Sequence, residues 1–311
     1  MAKCDQPDHG ELEAVVRSCY SSWSARYYDD YYGNAAAYPP VHIEIVRALL
    51  RDSGVRTLLD AGCGPGSMLR ELADLRLERW GFDLTPEMVT EARRVLAGQG
   101  VSSDHIWEGS ILDRAAFKPR AGAPAGFDAA ICFGVLPHVP ASADCQVLAN
   151  LSEAVRAGGL IAVEARNQLF GLFTLNRYSS AFFRDVLINE SAILENTTDA
   201  SERAALARAL ASLDERFRMD LPPVRTGEAG KPGYDEVLSR THNPFQLCHQ
   251  AQQQGLIDPK ILFYHFHALP PMLEREAPAL FRRASLAMEN PYDWRGYFMA
   301  SAFILVCRRA L

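Results

Sequence analysis

The sequence predicts a doubly wound α/β fold, a mostly parallel sheet with helices on both faces. Three observations carry that expectation. Short apolar runs bounded by turn residues alternate with segments of helical apolar spacing from about residue 55 to 165. Those runs are apolar throughout rather than every second residue, which suits strands buried on both faces. The first of them ends in an acid and breaks into glycines, in TLLDAGCGPGSML over 57–69.

The elements follow in order. Tyr20, Trp23, Tyr27 and Tyr31 recur at helical spacing between Glu11 and Tyr32, which predicts one helix with an aromatic stripe. Gly33 and Asn34 end it, and Pro39-Pro40 open the next helix, PPVHIEIVRALLRDSG. VRTLLDAG is the first strand. Helix GSMLRELADLR, strand ERWGFDL, helix TPEMVTEARRVLAGQG and strand SDHIWEGS come after it. A Pro/Gly/Ala loop at 119–126 leads to strand FDAAICFGVL, a helix near 142–157 and strand GLIAVEA. The connections between parallel strands are expected to be right-handed.

The alternation lapses between about 165 and 240. FGLFTLNRYSSAFFRDVL, the charged stretch TTDASERAALARALASLDERFR and the loop PPVRTGEAGKPGYD carry no strand, so this segment reads as a helical insertion placed as a lid. Helix NPFQLCHQAQQQG, strand KILFYHFHAL, helix LFRRASLAME and strand ASAFILVCRRA then resume the sheet pattern.

Composition narrows the function. The chain has 311 residues, 48% apolar and 23% charged, enough for a full core of ordinary globular type. A net charge of −6 and the lack of a Lys/Arg cluster on a predicted face count against a nucleic-acid backbone as partner. The 7 cysteines are scattered without a C-x-x-C pair, so they read as small core residues in a reducing compartment. The polar, acidic start MAKCDQPDHGELE is unlike a secretory signal, and no apolar stretch reaches the ~20 residues of a membrane span. The expectation is a cytoplasmic protein without a membrane, metal or nucleic-acid partner, as monomer or homodimer.

A strand that ends in Asp60 and runs into Gly62, Gly64 and Gly66 at a helix start is a nucleotide-binding arrangement. Glycines let the backbone turn tightly and approach a ligand, and the helix N-terminus offers free N–H groups. The next strand ends at Asp83, where an acid can accept both hydroxyls of a ribose. The competing reading is a tight strand-to-helix turn with no ligand. The dinucleotide fingerprint is G-x-G-x-x-G, whereas here the third glycine comes one residue early.

This stretch resembles motif I of the class I S-adenosylmethionine-dependent methyltransferases. The resemblance implies a seven-stranded sheet whose last strand is antiparallel, with the cofactor's methionine part over Gly62-Cys63-Gly64 and its ribose on Asp83. GFDLTPEMVTEAR resembles the helix after the ribose acid, with Leu84 and Met88 flanking the adenine. EGSILD resembles the turn after strand three, where Ser110, with Ile111 beside it, would meet the adenine amino group; many members carry Asp there. FDAAICFGVLPHV matches the fourth-strand motif, with Phe133 and Gly134 lining the methionine. The N-terminal Tyr20, Tyr27 and Tyr28 resemble a cover helix that closes over the cofactor, against a reading as an aromatic stripe packed on the sheet. The implied organisation is a helical cover at 1–40, a cofactor-binding core at 41–164, a substrate lid at 165–240 and the rest of the core sheet at 241–311.

Methyl transfer is an in-line displacement and mainly a positioning problem, though a hydroxyl acceptor gains from a base. His138, after the fourth strand, is the candidate base, against a local packing role. Glu164 at the end of strand five would bind a polar substrate or cap the next segment. His265 and His267 share one face of a strand by period two, and could line the pocket or hold a metal with Glu164 and His242. His242 with Asn243 reads as a helix start before Pro244, or, as the resemblance implies, as part of a loop that faces the methyl acceptor. Asn176, Arg177 and Tyr178 in the lid are candidate substrate contacts, Arg177 for an anionic group. The sequence therefore points to methylation of a small molecule, first at oxygen, with nitrogen or carbon acceptors open. The alternatives are a dinucleotide-dependent oxidoreductase, a non-catalytic relative of the fold and an RNA methyltransferase.

Overall fold

The computed structural model describes residues 9–311 apart from 34, 35, 37, 119, 213, 223, 225, 228 and 229. Asn34, the expected helix stop, lies outside the described residues. The aromatic N-terminal segment is broken rather than continuous. Helix α1, His9–Ser21, ends in turns around Trp23, and α2, Tyr27–Tyr31, starts again after them. The Trp23 indole N–H donates to the Asp30 carboxylate at 2.6 Å, and that side chain fills the break. Helix α3, His42–Asp52, follows, buries Ile43, Val46 and Leu50, and leads to strand β1, Thr57–Ala61.

The βα alternation then runs as expected. Short helix α4, Ser67–Glu71, strand β2, Glu78–Asp83, helix α5, Pro86–Ala97, and strand β3, Ile106–Glu108, come first. Strand β4, Phe127–Cys132, helix α6, Asp144–Ala154, and strand β5, Val155–Arg166, complete this half. Past β5 come helices α7, Gly171–Thr174, and α8, Arg177–Ala181, a π-helical turn at Phe182–Ile188, and helices α9, Glu190–Asn196, and α10, Ala200–Ala211. Helix α11, Pro244–Gln253, and strand β6, Leu256–Phe266, precede α12, Pro278–Ala287, α13, Gly296–Met299, and the last strand β7, Ala300–Arg309.

The seven strands form one mixed sheet in the order β3-β2-β1-β4-β5-β7-β6, with six parallel strands and an antiparallel last one. Leu58, Leu59, Ile131, Ile161 and Val163 are buried, as continuous apolar runs in central parallel strands require. The order reverses between β1 and β4, which are paired from Leu58↔Ala129 to Asp60↔Ile131. In an open α/β sheet the crevice beyond such a switch point is where ligands bind.

Two compact units divide the chain. The first comprises Met1–Arg166, Val224–Leu262 and Phe303–Leu311, the second Asn167–Pro223 and Phe263–Ala302. Of the segment expected as a lid, 165–240, the α-helices lie within 168–211; residues 224–240 group with the first unit, and the second also takes in 263–302. Within that second unit Asn167 acts as a stitch. Its buried side-chain amide donates to the carbonyls of Gly296, Tyr297 and Ala300 at 2.8–3.1 Å, and its oxygen accepts the Leu169 N–H. No helix among the described residues is long and apolar enough to cross a membrane.

Candidate active site

A cavity with about 790 Å³ of empty space, open in part to solvent, lies in the first unit. Its floor is the turn after β1 and its walls are the ends of β2 and β4 and the face of α1. The turn is bound to β2 through its backbone: the N–H groups of Gly62 and Cys63 both donate to the Phe82 carbonyl, at 2.8 and 2.9 Å. Gly62 sits at φ +84, and a Cβ on it would lie 2.2 Å from the Val135 side chain. Gly64 sits at φ +53 with nothing within 4 Å of where a Cβ would stand, so its backbone faces open space. Only glycine meets both demands at low cost.

Asp83 ends β2 at the cavity edge. One carboxylate oxygen accepts the Gly64 N–H at 2.8 Å and the other the Thr85 N–H at 2.8 Å. Burial raises this carboxyl's pKa, and those two N–H donors pull it back. Phe82, Leu84, Met88 and Ile111 give the same end of the cavity apolar walls, and Phe133, Gly134 and Val135 line the other end. Glu164, buried at the end of β5, accepts the Gly134 N–H at 2.8 Å and so fixes the turn after β4.

His138 and Tyr20 also line the cavity. The His138 Nδ1 lies 2.7 Å from the Leu238 carbonyl and its Nε2 lies 2.8 Å from the Tyr20 hydroxyl. A carbonyl only accepts, so Nδ1 carries the proton and Nε2 accepts from Tyr20. Burial pushes the His138 pKa down to about 4, opposed by the Leu238 bond and aided by the nearby Arg166 charge. The ring is therefore neutral, with a lone pair on the cavity side.

Several expected site residues stand elsewhere. Tyr28 is not among the lining residues: its hydroxyl donates to Glu71 at 2.5 Å and the Arg70 guanidinium lies 3.9 Å over its ring. Tyr27, of the same expected cover, does line the cavity, where the chain restarts as a helix. Asp60 is buried behind the turn, its pKa pushed up to about 8 by burial and then by the Asp83 charge. Cys63 is buried too, and burial raises its thiol well above the ordinary value. Gly66 caps α4 in the left-handed region. The Ser110 hydroxyl donates to Glu13 of α1 rather than lining the cavity, whereas Ile111 and Leu112 beside it do line it.

His242 is 4% exposed and lies 3.0 Å from an Arg240 guanidinium nitrogen, with its Nδ1 unpartnered. Asn176, Arg177, Tyr178, His265 and His267 belong to the second unit. Asn176 caps α8 and bonds Thr174, while Arg177 stacks over and bonds the Tyr178 ring and hydroxyl. His265, at φ +62, and His267 stand at the end of β6 with their rings stacked 5.0 Å apart. His267 donates its Nδ1–H to the His265 carbonyl, and burial lowers its pKa to about 4. Among the described residues no group of three or more His, Cys, Asp or Glu side chains is placed to hold a metal ion.

The sequence pattern of the family described as "Methyltransferase domain" matches residues 59–161, the stretch that supplies the glycine turn, Asp83 and His138. Residues 59–161 are thus similar to that domain family. Ubiquinone biosynthesis O-methyltransferase of Xanthomonas axonopodis pv. citri (strain 306) is 36% identical over 143 residues, 46% of this chain and 52% of that protein. The enzyme of the same name from Xanthomonas campestris pv. campestris (strain B100) is 28% identical over 169 residues, 54% of this chain and 67% of that one. The chain thus spans about half the length of the first of these relatives and two thirds of the second. Magnesium protoporphyrin IX methyltransferase from Synechocystis PCC 6803, crystallised with bound SAH, shares the fold. It has a TM-score of 0.52 at 14% identity, over 96% of this chain and 100% of that one.

The matched stretch does not build the cavity alone. Leu12, Val16, Tyr20 and Tyr27 come from the helices before it, and the carbonyl that orients His138 comes from Leu238 after it. Tyr27 was visible in the aromatic stripe, but helical spacing could not say which ring turns inward. Leu238 carries no signal, since a backbone carbonyl is common to every residue.

Proposed function

We propose that this chain transfers a methyl group from S-adenosylmethionine to a hydroxyl of a small molecule, in the cytoplasm. The observation that carries the reading is one cavity lined together by the glycine turn, Asp83 and a neutral His138. The residues present fit that cofactor. The open face of Gly64 leaves room for a close backbone approach, Asp83 offers acceptors to a ribose, and Phe82, Leu84, Met88 and Ile111 suit a purine. The buried carboxyls of Asp60 and Glu164 near the turn suit a positively charged ligand. The O-methyltransferase name of the Xanthomonas relatives favours oxygen as the acceptor atom.

When bound, the cofactor supplies an electrophilic methyl group. The chain's residues do the rest by holding and orienting. Asp83 and the glycine turn would hold the nucleoside end, and the apolar walls would exclude water. His138 presents the Nε2 lone pair that the Tyr20 hydroxyl now occupies. An acceptor hydroxyl that takes Tyr20's place there gives its proton to Nε2 as it is methylated.

The test is transfer of labelled methyl from S-adenosylmethionine to a panel of phenols and catechols by the wild type and His138→Phe. Loss of a general base lowers kcat by about 10²–10⁴-fold with cofactor affinity unchanged. An unchanged kcat removes His138 as base. Stabilisation by NADH but not by S-adenosylmethionine would overturn the cofactor.

A further inference from the structure

Behind His138 runs a stretch in which the sequence pattern singles out only His242. Residues 238–242 are irregular, between the turn at Tyr234–Glu236 and α11, yet they are anchored at every step. The Arg240 N–H donates to the Pro137 carbonyl at 2.8 Å, and the Arg240 Nε–H to the Val139 carbonyl at 2.6 Å. An Arg240 terminal nitrogen pairs with the carboxylate of Asp144, the first residue of α6, which is 3% exposed. On the other side the His242 N–H donates to the Arg166 carbonyl at 2.7 Å, and the Arg166 guanidinium donates to the Ser239 hydroxyl. The two carbonyls that Arg240 holds flank His138 in the chain. The carbonyl two residues before Arg240, that of Leu238, is the one that meets the His138 Nδ1.

Which nitrogen of a neutral imidazole carries the proton is set by the bond the other nitrogen makes. In water the neutral ring favours the proton on Nε2. Here the Leu238 carbonyl demands it on Nδ1, and only that tautomer leaves Nε2 able to accept a proton from the cavity. The carbonyl is on an irregular segment, so no helix or sheet ladder fixes its direction. Arg240 does: its backbone N–H holds the Pro137 carbonyl, and two donors on its rigid guanidinium reach the Val139 carbonyl and the buried Asp144 carboxylate. A lysine would keep the backbone bond to Pro137 but has no Nε–H fork, and would reach only one of the other two acceptors, as a point charge.

We propose that Arg240 is a positioning residue for methyl transfer: by clamping 238–242 against 137–139 it holds the Leu238 carbonyl on Nδ1 and keeps His138 in the base-competent tautomer. This rests on His138 being the base, but its test does not depend on activity.

The full chain is labelled with ¹⁵N-histidine, and long-range ¹H–¹⁵N spectra report which ring nitrogen is protonated, with His138→Gln assigning the signal. The wild type at neutral pH is expected to show His138 protonated at Nδ1. Arg240→Met is expected to move the signal towards the Nε2-protonated form and to lower kcat at least 10-fold while cofactor affinity stays within 2-fold. Arg240→Lys is expected to fall between the two. A wild-type His138 protonated at Nε2, or an Arg240→Met protein that keeps the Nδ1 signal, overturns the proposal. If Arg240→Met does not fold, Asp144→Asn gives the same readout: a partial shift supports the clamp and an unshifted signal overturns it. If His138→Gln transfers methyl at the wild-type rate, the base reading fails and the tautomer result still stands or falls by itself.

Discussion

The Asp83 carboxylate accepts the backbone N–H of Gly64, 19 residues earlier in the chain, at 2.8 Å. The acid at the end of β2 and the glycine turn after β1 are thus one braced unit. Each Asp83 oxygen accepts one backbone N–H, and the Thr85 side chain adds a further hydrogen bond to the carboxylate.

Replacing Asp83 by Asn puts an amide N–H₂ against one of those two donors and removes the charge. A hydrogen bond to a charged group contributes about 1.5–3 kcal/mol, so S-adenosylmethionine affinity is expected to drop about 10–100-fold by titration calorimetry. Affinity within 2-fold of the wild type would take Asp83 out of the cofactor site.

Asp60 makes stability and binding depend on pH in opposite directions. Its folded pKa, about 8, lies above the ordinary 3.8, so the folded state holds a proton that the unfolded state releases. Its stabilising contribution is present in full below about pH 4 and is lost as pH rises through about 8. A cation bound beside it favours the ionised form, so S-adenosylmethionine binding is expected to release protons and tighten as pH rises towards 8. S-adenosylhomocysteine, one positive charge poorer, is expected to show a weaker trend. Binding and melting curves from pH 6 to 9 on the wild type and Asp60→Asn check this; an identical pH trend in both proteins would clear Asp60 of the role.

Gly62→Ala combines two costs: a left-handed φ and a Cβ 2.2 Å from the Val135 side chain. The expected loss is about 1–3 kcal/mol in denaturant unfolding. The double variant with Val135→Ala is expected to recover the steric part and keep the backbone part. Simple additivity of the two single losses would show that the contact is not the source.

The sheet and the turn were legible because they are local. Continuous apolar runs mark β1, β4 and β5, and the spacing from Asp60 through the glycines to Asp83 lies within one βαβ unit. The expected α4 stops at Glu71, and the expected N-terminal helix breaks at Trp23, whose indole bonds Asp30 seven residues on; helical spacing marks neither place. Residues 224–240 read as lid from their composition, whereas they group with the first unit.

The sequence by itself determined the fold class, the glycine turn and the acid that braces it, since period, punctuation and short spacing are properties of neighbouring residues. Only the tertiary structure decided that Tyr27 and not Tyr28 faces the cavity, that Ser110 bonds Glu13, and that the His138 ring is protonated at Nδ1. Those depend on where a side chain or a carbonyl from a distant stretch arrives. Leu238 lies 100 residues from His138, and its bond to that ring comes from a backbone oxygen that every residue type shares.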